Sequence, residues 1–397
     1  MEANQKKNDL TYCIFEGLDM PEGFAFTENE YMYEYDKRVV LTLDAGGTNF
    51  VFSAIQGNNE MISPISLPAV SDNLDECLEV LVKGFDRVIA AISVPPVAIS
   101  FAFPGPADYK NGIIGDLPNF PSFRGGVALG PFLKHKYRIP VFIENDGNLF
   151  AYGEALSGAL PMINRELSLA GCSREYKNLI GITLGTGFGA GVVIDKVLLT
   201  GDNGCGGDIW LMRNKKYPDM LAEESVSIRA VKRVYGDLSG QNSASLSPKD
   251  IYDIAEGIKE GNRHAAITSF NELGMMAGAA VASMLNVVDG LVVIGGGVAG
   301  ASKYILPALI TELRTQLTTF SGNKFPCVSM EVYNGEDESE RARFLSLSDS
   351  QVVIPGTRLT TTYHQLKQTL VLCSKEGASR SIMRGAYAYA LQKIDLT

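Results

Sequence analysis

The sequence predicts an α/β fold in two similar halves, for three reasons. Nearly continuous apolar runs, VAISFAF at 97–103 and LIGITL at 179–184, suit strands covered by helices on both faces. Between such runs, apolar residues recur at three- and four-residue spacing, the period of a helix packed by one face. A unit of strand, glycine-rich turn and strand occurs twice, at 39–55 and at 179–194.

The elements follow in order from position 39. VVLTLDAGGTNFVFSAIQG holds two β-rich runs, 39–43 and 51–55, joined by a glycine turn. SDNLDECLEVLVKGFDRVIAAI places Leu74, Cys77, Leu78, Leu81, Val82, Phe85, Val88 and Ile89 on one face, with Ser71 or Asp72 as N-cap, and reads as a crossover helix. VAISFAF and VFI at 141–143 continue the sheet. The plan restarts with LIGITL, the turn GTGFG at 185–189 and AGVVI at 190–194, before a helical region and a buried strand, LVVI at 291–294. The segment 321–375, with GEDESERAR and a β-like QVVIPGTRLTTTY, receives no role. SRSIMRGAYAYALQKI closes the chain as an amphipathic helix. The expected division is an N-terminal extension (1–38), a first α/β domain (39–155) and a second (156–397), with the last helix able to pack on the first domain.

Composition narrows the function. Apolar residues make up 46% and charged residues 20%, which excludes disordered, collagen-like and coiled-coil chains. A net charge of −10 offers no global attraction to nucleic acid or anionic lipid. Six cysteines (Cys13, Cys77, Cys172, Cys205, Cys327, Cys373) contain no C-x-x-C pair and fit a reducing cytoplasm better than a disulfide framework or zinc ribbon. The first thirty residues lack a secretory signal pattern. The longest apolar stretch, 273–299, is broken by Asn286 and Asp289 and falls short of the ~20 apolar residues that span a bilayer. A soluble, cytoplasmic protein without a nucleic-acid or membrane partner is expected.

Glycine turns between strands let backbone N–H groups converge on an anion without Cβ obstruction. Asp44-Ala45-Gly46-Gly47-Thr48-Asn49 has this form, and Asp44 can hold Mg²⁺ or its waters. The plain alternative is a tight hairpin. Gly185-Thr186-Gly187-Phe188-Gly189 occupies the same place in the second half, so the two turns can face each other and hold a polyphosphate. Gly185-x-Gly187-x-x-Ala190 and Gly295-x-Gly297-x-x-Gly300 also match a dinucleotide fingerprint literally. The first precedes a strand instead of a helix and fails the required context. The second lies late in the chain and favours a nucleotide-base site over NAD. No P-loop motif is present.

PVFIENDGN places Glu144, Asn145 and Asp146 after a buried strand and before a helix, where α/β sheets build their sites. Asp146 suits a general base that takes a proton from a substrate hydroxyl, and Asn145 suits a group that orients that substrate. Alternatively, Asn145 or Asp146 only caps the helix. Upstream, DLPNFPSF at 116–123 mixes polar and aromatic groups, with Asn119 and the Phe rings as cleft candidates or as a Pro-rich connector over an aromatic core.

In chain order, LDAGGTN (43–49), FPGPAD (103–108), NFPSF (119–123), PVFIENDGN (140–148), LGTGFGAG (184–191), GDNGCGGDI (201–209) and VVIGGGVAG (292–300) resemble the ROK family of sugar kinases and sugar-responsive repressors. The resemblance implies the actin-like ATPase fold, with two ribonuclease-H-like domains around a nucleotide cleft. It implies that Asp44, Gly46, Gly47, Thr48 and Asn49 form the first phosphate loop and Gly185, Thr186, Gly187 and Gly189 the second. Gly295, Gly296 and Gly297 then form the adenosine-side motif. By the same resemblance Asp146 is the catalytic base, and Asn119 and Asn145 bind sugar. The implied chemistry is transfer of a phosphoryl group from Mg-ATP to a hexose or N-acetylhexosamine hydroxyl. A homodimer is also implied.

The departures fall in the sugar site. Where family kinases carry Gly-Glu-Ile-Gly-His-Met, this chain has Gly207-Asp208-Ile209-Trp210-Leu211-Met212, so Asp208 replaces Glu and Leu211 replaces the sugar-contacting His. The family's zinc cluster is missing, since IWLMRNKKYPDMLAEE at 209–224 contains neither His nor Cys, and no structural zinc is expected. Glu223 matches the acidic sugar ligand beyond that cluster. Trp210, the only Trp, is read as stacking on a sugar face or, preferably, as packing in place of the lost loop. His135, His264 and His364 fit no metal spacing. An ATP-dependent sugar kinase is therefore expected, with a non-catalytic sugar sensor as the alternative. A repressor is disfavoured because residues 1–38 show no basic recognition helix, and an NAD enzyme remains residual.

Overall fold

A computed structural model describes residues 31–45, 49–117, 120–346 and 350–396. The first sheet is built from β1 (Val40–Ala45), β2 (Asn49–Gln56), β3 (Asn59–Glu60), β4 (Ile65–Pro68), β5 (Ala98–Ala102) and β6 (Val141–Glu144). Its order is β3-β2-β1-β5-β6, with β4 also paired to β2; β1, β5 and β6 run parallel and β2 antiparallel to β1. The second sheet uses β7 (Leu179–Leu184), β8 (Phe188–Ile194), β9 (Val197–Leu198), β10 (Leu291–Gly295), β11 (Glu331–Asn334) and β12 (Gln368–Cys373). Its order, β9-β8-β7-β10-β12-β11, repeats the first: an antiparallel hairpin followed by parallel strands. This repeat is the actin-like ATPase fold.

The segment 321–375, which received no role, supplies the last two strands of the second sheet. GEDESERAR starts a helix, and QVVIPGTRLTTTY forms an exposed hairpin, Ser350–Val353 with Thr360–Tyr363, outside that sheet.

Helices cover both faces. The helices are α1 (Leu74–Ala91), α2 (Leu129–Tyr137), α3 (Asp146–Ser157), α4 (Ala159–Leu169), α5 (Ile228–Ser239), α6 (Pro248–Glu256), α7 (Arg263–Val288), α8 (Ser302–Leu313), α9 (Glu338–Leu345) and α10 (Ala378–Asp395). The N-cap of α1 is Asn73, whose side chain accepts from Glu76 N, not Ser71 or Asp72; only Asn73 stands one residue before the first helical turn. Most of the long apolar stretch is α7, and the remainder turns into β10. No helix among the described residues is long and apolar enough to cross a membrane.

Two helices lie at the centre. The α3 residues Phe150, Ala151 and Tyr152 pack with Leu179, Val193 and Val293 of the second sheet. Tyr387, Ala390 and Leu391 of α10 pack on Val40, Ile55 and Ala98 of the first. The two helices cross in backbone contact, since a Cβ added at Gly385 would lie 1.9 Å from Leu149 O and one at Gly153 2.0 Å from Ser381 O. Beside the crossing, the buried Glu154 carboxylate accepts from Ser374 Oγ (2.5 Å), Ser381 Oγ (2.6 Å) and Ala159 N (2.9 Å). A fully paired buried carboxylate of this kind ties the start of α4 and the start of α10 to one point on α3.

Candidate active site

The C-terminal ends of the parallel strands bring the chemistry together. Register aligns Asp44 of β1 with Ala102 of β5, and Ala102 with Glu144 of β6. Two strand spacings therefore separate Asp44 from Glu144, roughly 10 Å. Glu144 fixes the turn that follows: its Oε1 accepts from Asn145 N (2.9 Å) and from Asn148 Nδ2 (3.0 Å). Asn145 is the N-cap of α3, its Oδ1 accepting from Gly147 N (2.8 Å), so the capping role considered from sequence is real. Asp146 is the first residue of that helix and its Oδ1 accepts from Gly147 N at 2.9 Å.

The Asp146 side chain is accessible at the cleft yet surrounded by protein on most sides. Desolvation raises its pKa above 3.8, backbone N–H donors oppose the rise, and the charge of Asp44 adds to it. The charge of Asp44 thus acts on Asp146 across the sheet edge.

The second half meets this turn directly. A Cβ at Gly147 would lie 2.7 Å from Ala190 O in β8, so glycine there lets the acidic turn touch the second sheet. Gly185 to Gly187 connect β7 to β8, whose first residues are Phe188 and Gly189, and the turn is closed by Gly185 N donating to Gly187 O at 3.1 Å. As expected, a strand follows it, not a helix. β7 and β10 pair through Thr183 and Gly295, which sets the Gly295-Gly296-Gly297 turn beside the second glycine turn. Gly296 has φ +93° and a Cβ there would meet Leu184 O at 2.3 Å, so only glycine fits. A Cβ added at Gly185 or Gly297 would meet no atom within 4 Å. These backbones front open space, which fits close approach of a nucleotide, and the Asp44 carboxylate at the end of β1 fits a hard divalent cation at its phosphates.

Asp208 is exposed just after Gly207, which packs against Ala190, and its charge reaches the Tyr109 hydroxyl together with those of Asp146 and Glu144. Glu223 lies against the second glycine turn, with Oε2 accepting from Phe188 N (3.1 Å) and Oε1 from Arg229 Nη2 (3.1 Å). Asn49 is exposed at the start of β2. Gly46, Gly47, Thr48 and Asn119 lie outside the described residues.

Of the two readings of 116–123, the structure bears out the aromatic core: Phe120 and Phe123 are buried and pack with Phe103, because the loop folds under the first sheet's apolar face. Trp210 is 37% exposed, and neighbouring Ile209 is the buried residue of that turn. Sequence reasoning missed Tyr109, whose hydroxyl donates to Phe103 O (3.0 Å) and accepts from the Asn145 side chain. Desolvation pushes this phenol's pKa up, so it stays neutral. Its nearness to the Phe103–Ala107 motif was the available signal.

Comparison with known proteins agrees with this arrangement. The ROK family profile matches residues 40–339. A solved structure of glucokinase from Parabacteroides distasonis is 57% identical, with a TM-score of 0.81, over 91% of this chain and 99% of that one. A glucokinase of Thermotoga maritima is 26% identical over 290 residues, 69% of this chain and 86% of that protein. A xylose repressor of Bacillus spizizenii is 23% identical over 241 residues, 58% of this chain and only 56% of the repressor.

Proposed function

The chain belongs to the ROK family, and from that premise we propose that Asp146 is the general base of its reaction. The protein is a glucokinase-like, ATP-dependent sugar kinase acting on a hydroxyl of a hexose or N-acetylhexosamine. The observation that carries the assignment to Asp146 is its position, at the meeting of the two sheets and within electrostatic reach of Asp44. The raised pKa makes this carboxylate a better proton acceptor than an ordinary aspartate.

Asp146 takes the proton of the sugar hydroxyl as that oxygen bonds to the γ-phosphorus. The bond from phosphorus to the β,γ-bridging oxygen breaks, and ADP leaves with that electron pair. Bound ATP with Mg²⁺ supplies the electrophilic phosphoryl group and neutralises charge on its oxygens. Asp44 would hold Mg²⁺ directly or through water. Gly46, Gly47, Thr48 and Asn49 would hold phosphate on one side, and Gly185, Thr186, Gly187 and Gly189 on the other. Gly295, Gly296 and Gly297 would face the adenosine. Asn119, Asn145, Asp208 and Glu223 would contact the sugar, with Tyr109 fixing the Asn145 amide. Most of the rate then comes from positioning.

The same reading takes residues 39–155 and 156–397 as the two domains and the enzyme as a cytoplasmic homodimer, supported by the family resemblance and by cysteines without a pairing pattern. The net charge of −10 supports the lack of a nucleic-acid or anionic-membrane partner. The sensor alternative is not favoured. ADP release with Mg-ATP and a panel of hexoses and N-acetylhexosamines, run beside Asp146→Asn, tests the proposal. Turnover on one sugar that is lost in the variant supports it, and a variant with full turnover sinks it.

A further inference from the structure

We propose that Glu223 positions the second glycine turn, so that nucleotide affinity depends on this carboxylate even when no sugar is present. The inference rests on the reading that residues 185–189 hold phosphate. It adds a nucleotide-side role to a residue matched above only to the sugar.

One peptide plane carries the argument. The unit joining Gly187 to Phe188 is pinned at both polar atoms: its carbonyl accepts from Gly185 N (3.1 Å) and its N–H donates to Glu223 Oε2 (3.1 Å). The Gly185 carbonyl is held in turn by Ile228 N at 2.9 Å, from the first residue of α5. The turn is therefore braced from the segment 222–228, not by its own strands alone.

That segment is anchored in the core of the second half. Ala222, Ser225, Val226 and Ser227 are buried, and Ser227 caps α5. Glu223 sits in the short 3₁₀ turn Ala222–Glu224, its side chain 22% exposed, with Arg229 paired to its other oxygen. A partly sheltered carboxylate accepting from a backbone N–H makes a charge-assisted bond, stronger than a neutral one.

The carboxylate also explains a glycine. Gly187 does not have a positive φ, so backbone conformation does not require glycine there. A Cβ at Gly187 would instead lie 2.5 Å from Glu223 Oε2. The Gly-x-Gly spacing thus serves the contact with Glu223 at its second position and open space at its first. A turn fixed before its ligand arrives avoids the cost of ordering it on binding.

The test is calorimetric binding of the ATP analogue AMPPNP with Mg²⁺ to the full chain, without sugar. Glu223→Ala is expected to weaken binding about tenfold or more, by loss of a charge-assisted bond. Glu223→Gln, which keeps an acceptor for Phe188 N, should stay within about threefold of the unmodified protein. Should the alanine variant fail to fold, Glu223→Leu removes the acceptor while keeping side-chain bulk and should weaken binding in the same direction. Unchanged nucleotide affinity in Glu223→Ala or Glu223→Leu overturns the positioning role and leaves the phosphate reading intact. No nucleotide binding by the unmodified protein overturns both.

Discussion

Replacing Gly385 by alanine sets local and tertiary effects against each other, so the sign of the result is informative. Gly385 lies inside α10, where alanine is the better helix former by about 0.5–1 kcal/mol. Local propensity alone therefore predicts a more stable protein. In the structure the new Cβ would lie 1.9 Å from Leu149 O, against 3.4 Å for ordinary contact, so α3 and α10 must part by the difference, 1.5 Å. The opposing atoms are backbone, including Gly153 N at 3.0 Å, and cannot rotate aside as a side chain would. Overpacking costs about 1–3 kcal/mol, and a backbone clash belongs at the upper end, leaving a net loss of about 2 kcal/mol. Asp146 begins α3, and a shift of about 1 Å at a reacting group can cost some 10²-fold in rate. Urea denaturation should show a lower midpoint at unchanged slope, and kcat should fall because the clash at Leu149 lies less than one helical turn along α3 from Asp146. A midpoint that rises, with kcat unchanged, would refute the reasoning that this crossing sets the geometry between the sheets.

Asp146→Asn should lower kcat by about 10²–10⁴-fold while leaving AMPPNP affinity near that of the unmodified protein, measured by turnover and calorimetry. The same variant should be at least as stable as the unmodified protein at neutral pH. Asp146 has a folded pKa above 3.8, so its favourable contribution is complete below 3.8 and is lost as pH rises through the raised value. The stability difference between the two proteins should widen over that window in pH-dependent denaturation. Because the base works deprotonated, kcat/KM should fall on the acid side at a pH above the ordinary aspartate range, and a limb at ordinary aspartate pH would count against Asp146. Chelation with EDTA should abolish ADP release, and added Mg²⁺ should restore it.

Most strands and the second glycine turn were legible because their signals are local. An apolar run such as 179–184 must be covered on both faces, and a turn such as 185–189 must relieve crowding wherever it occurs. The family motifs added the identity of the cleft, since their order along the chain reflects one repeated topology. The last two strands of the second sheet were not legible. β11 and β12 pair in parallel across an intervening helix and exposed hairpin, and nothing within either short run announces its neighbour. Phe120 and Phe123 could be read as cleft or as core aromatics for the same reason: which face of the sheet a loop covers is a property of packing, not of composition.

What the sequence by itself determined is the kind of protein: two α/β halves, a glycine turn between paired strands, an acidic residue after a buried strand. Each of these depends on residues a few positions apart. What only the tertiary structure decided is how the halves meet. The Gly153–Gly385 crossing, the approach of Gly147 to Ala190 and the reach of Glu223 to Phe188 N all join residues far apart in the chain. Glycine at such a position carries no local mark of its role, because the atom that forbids a side chain belongs to another segment.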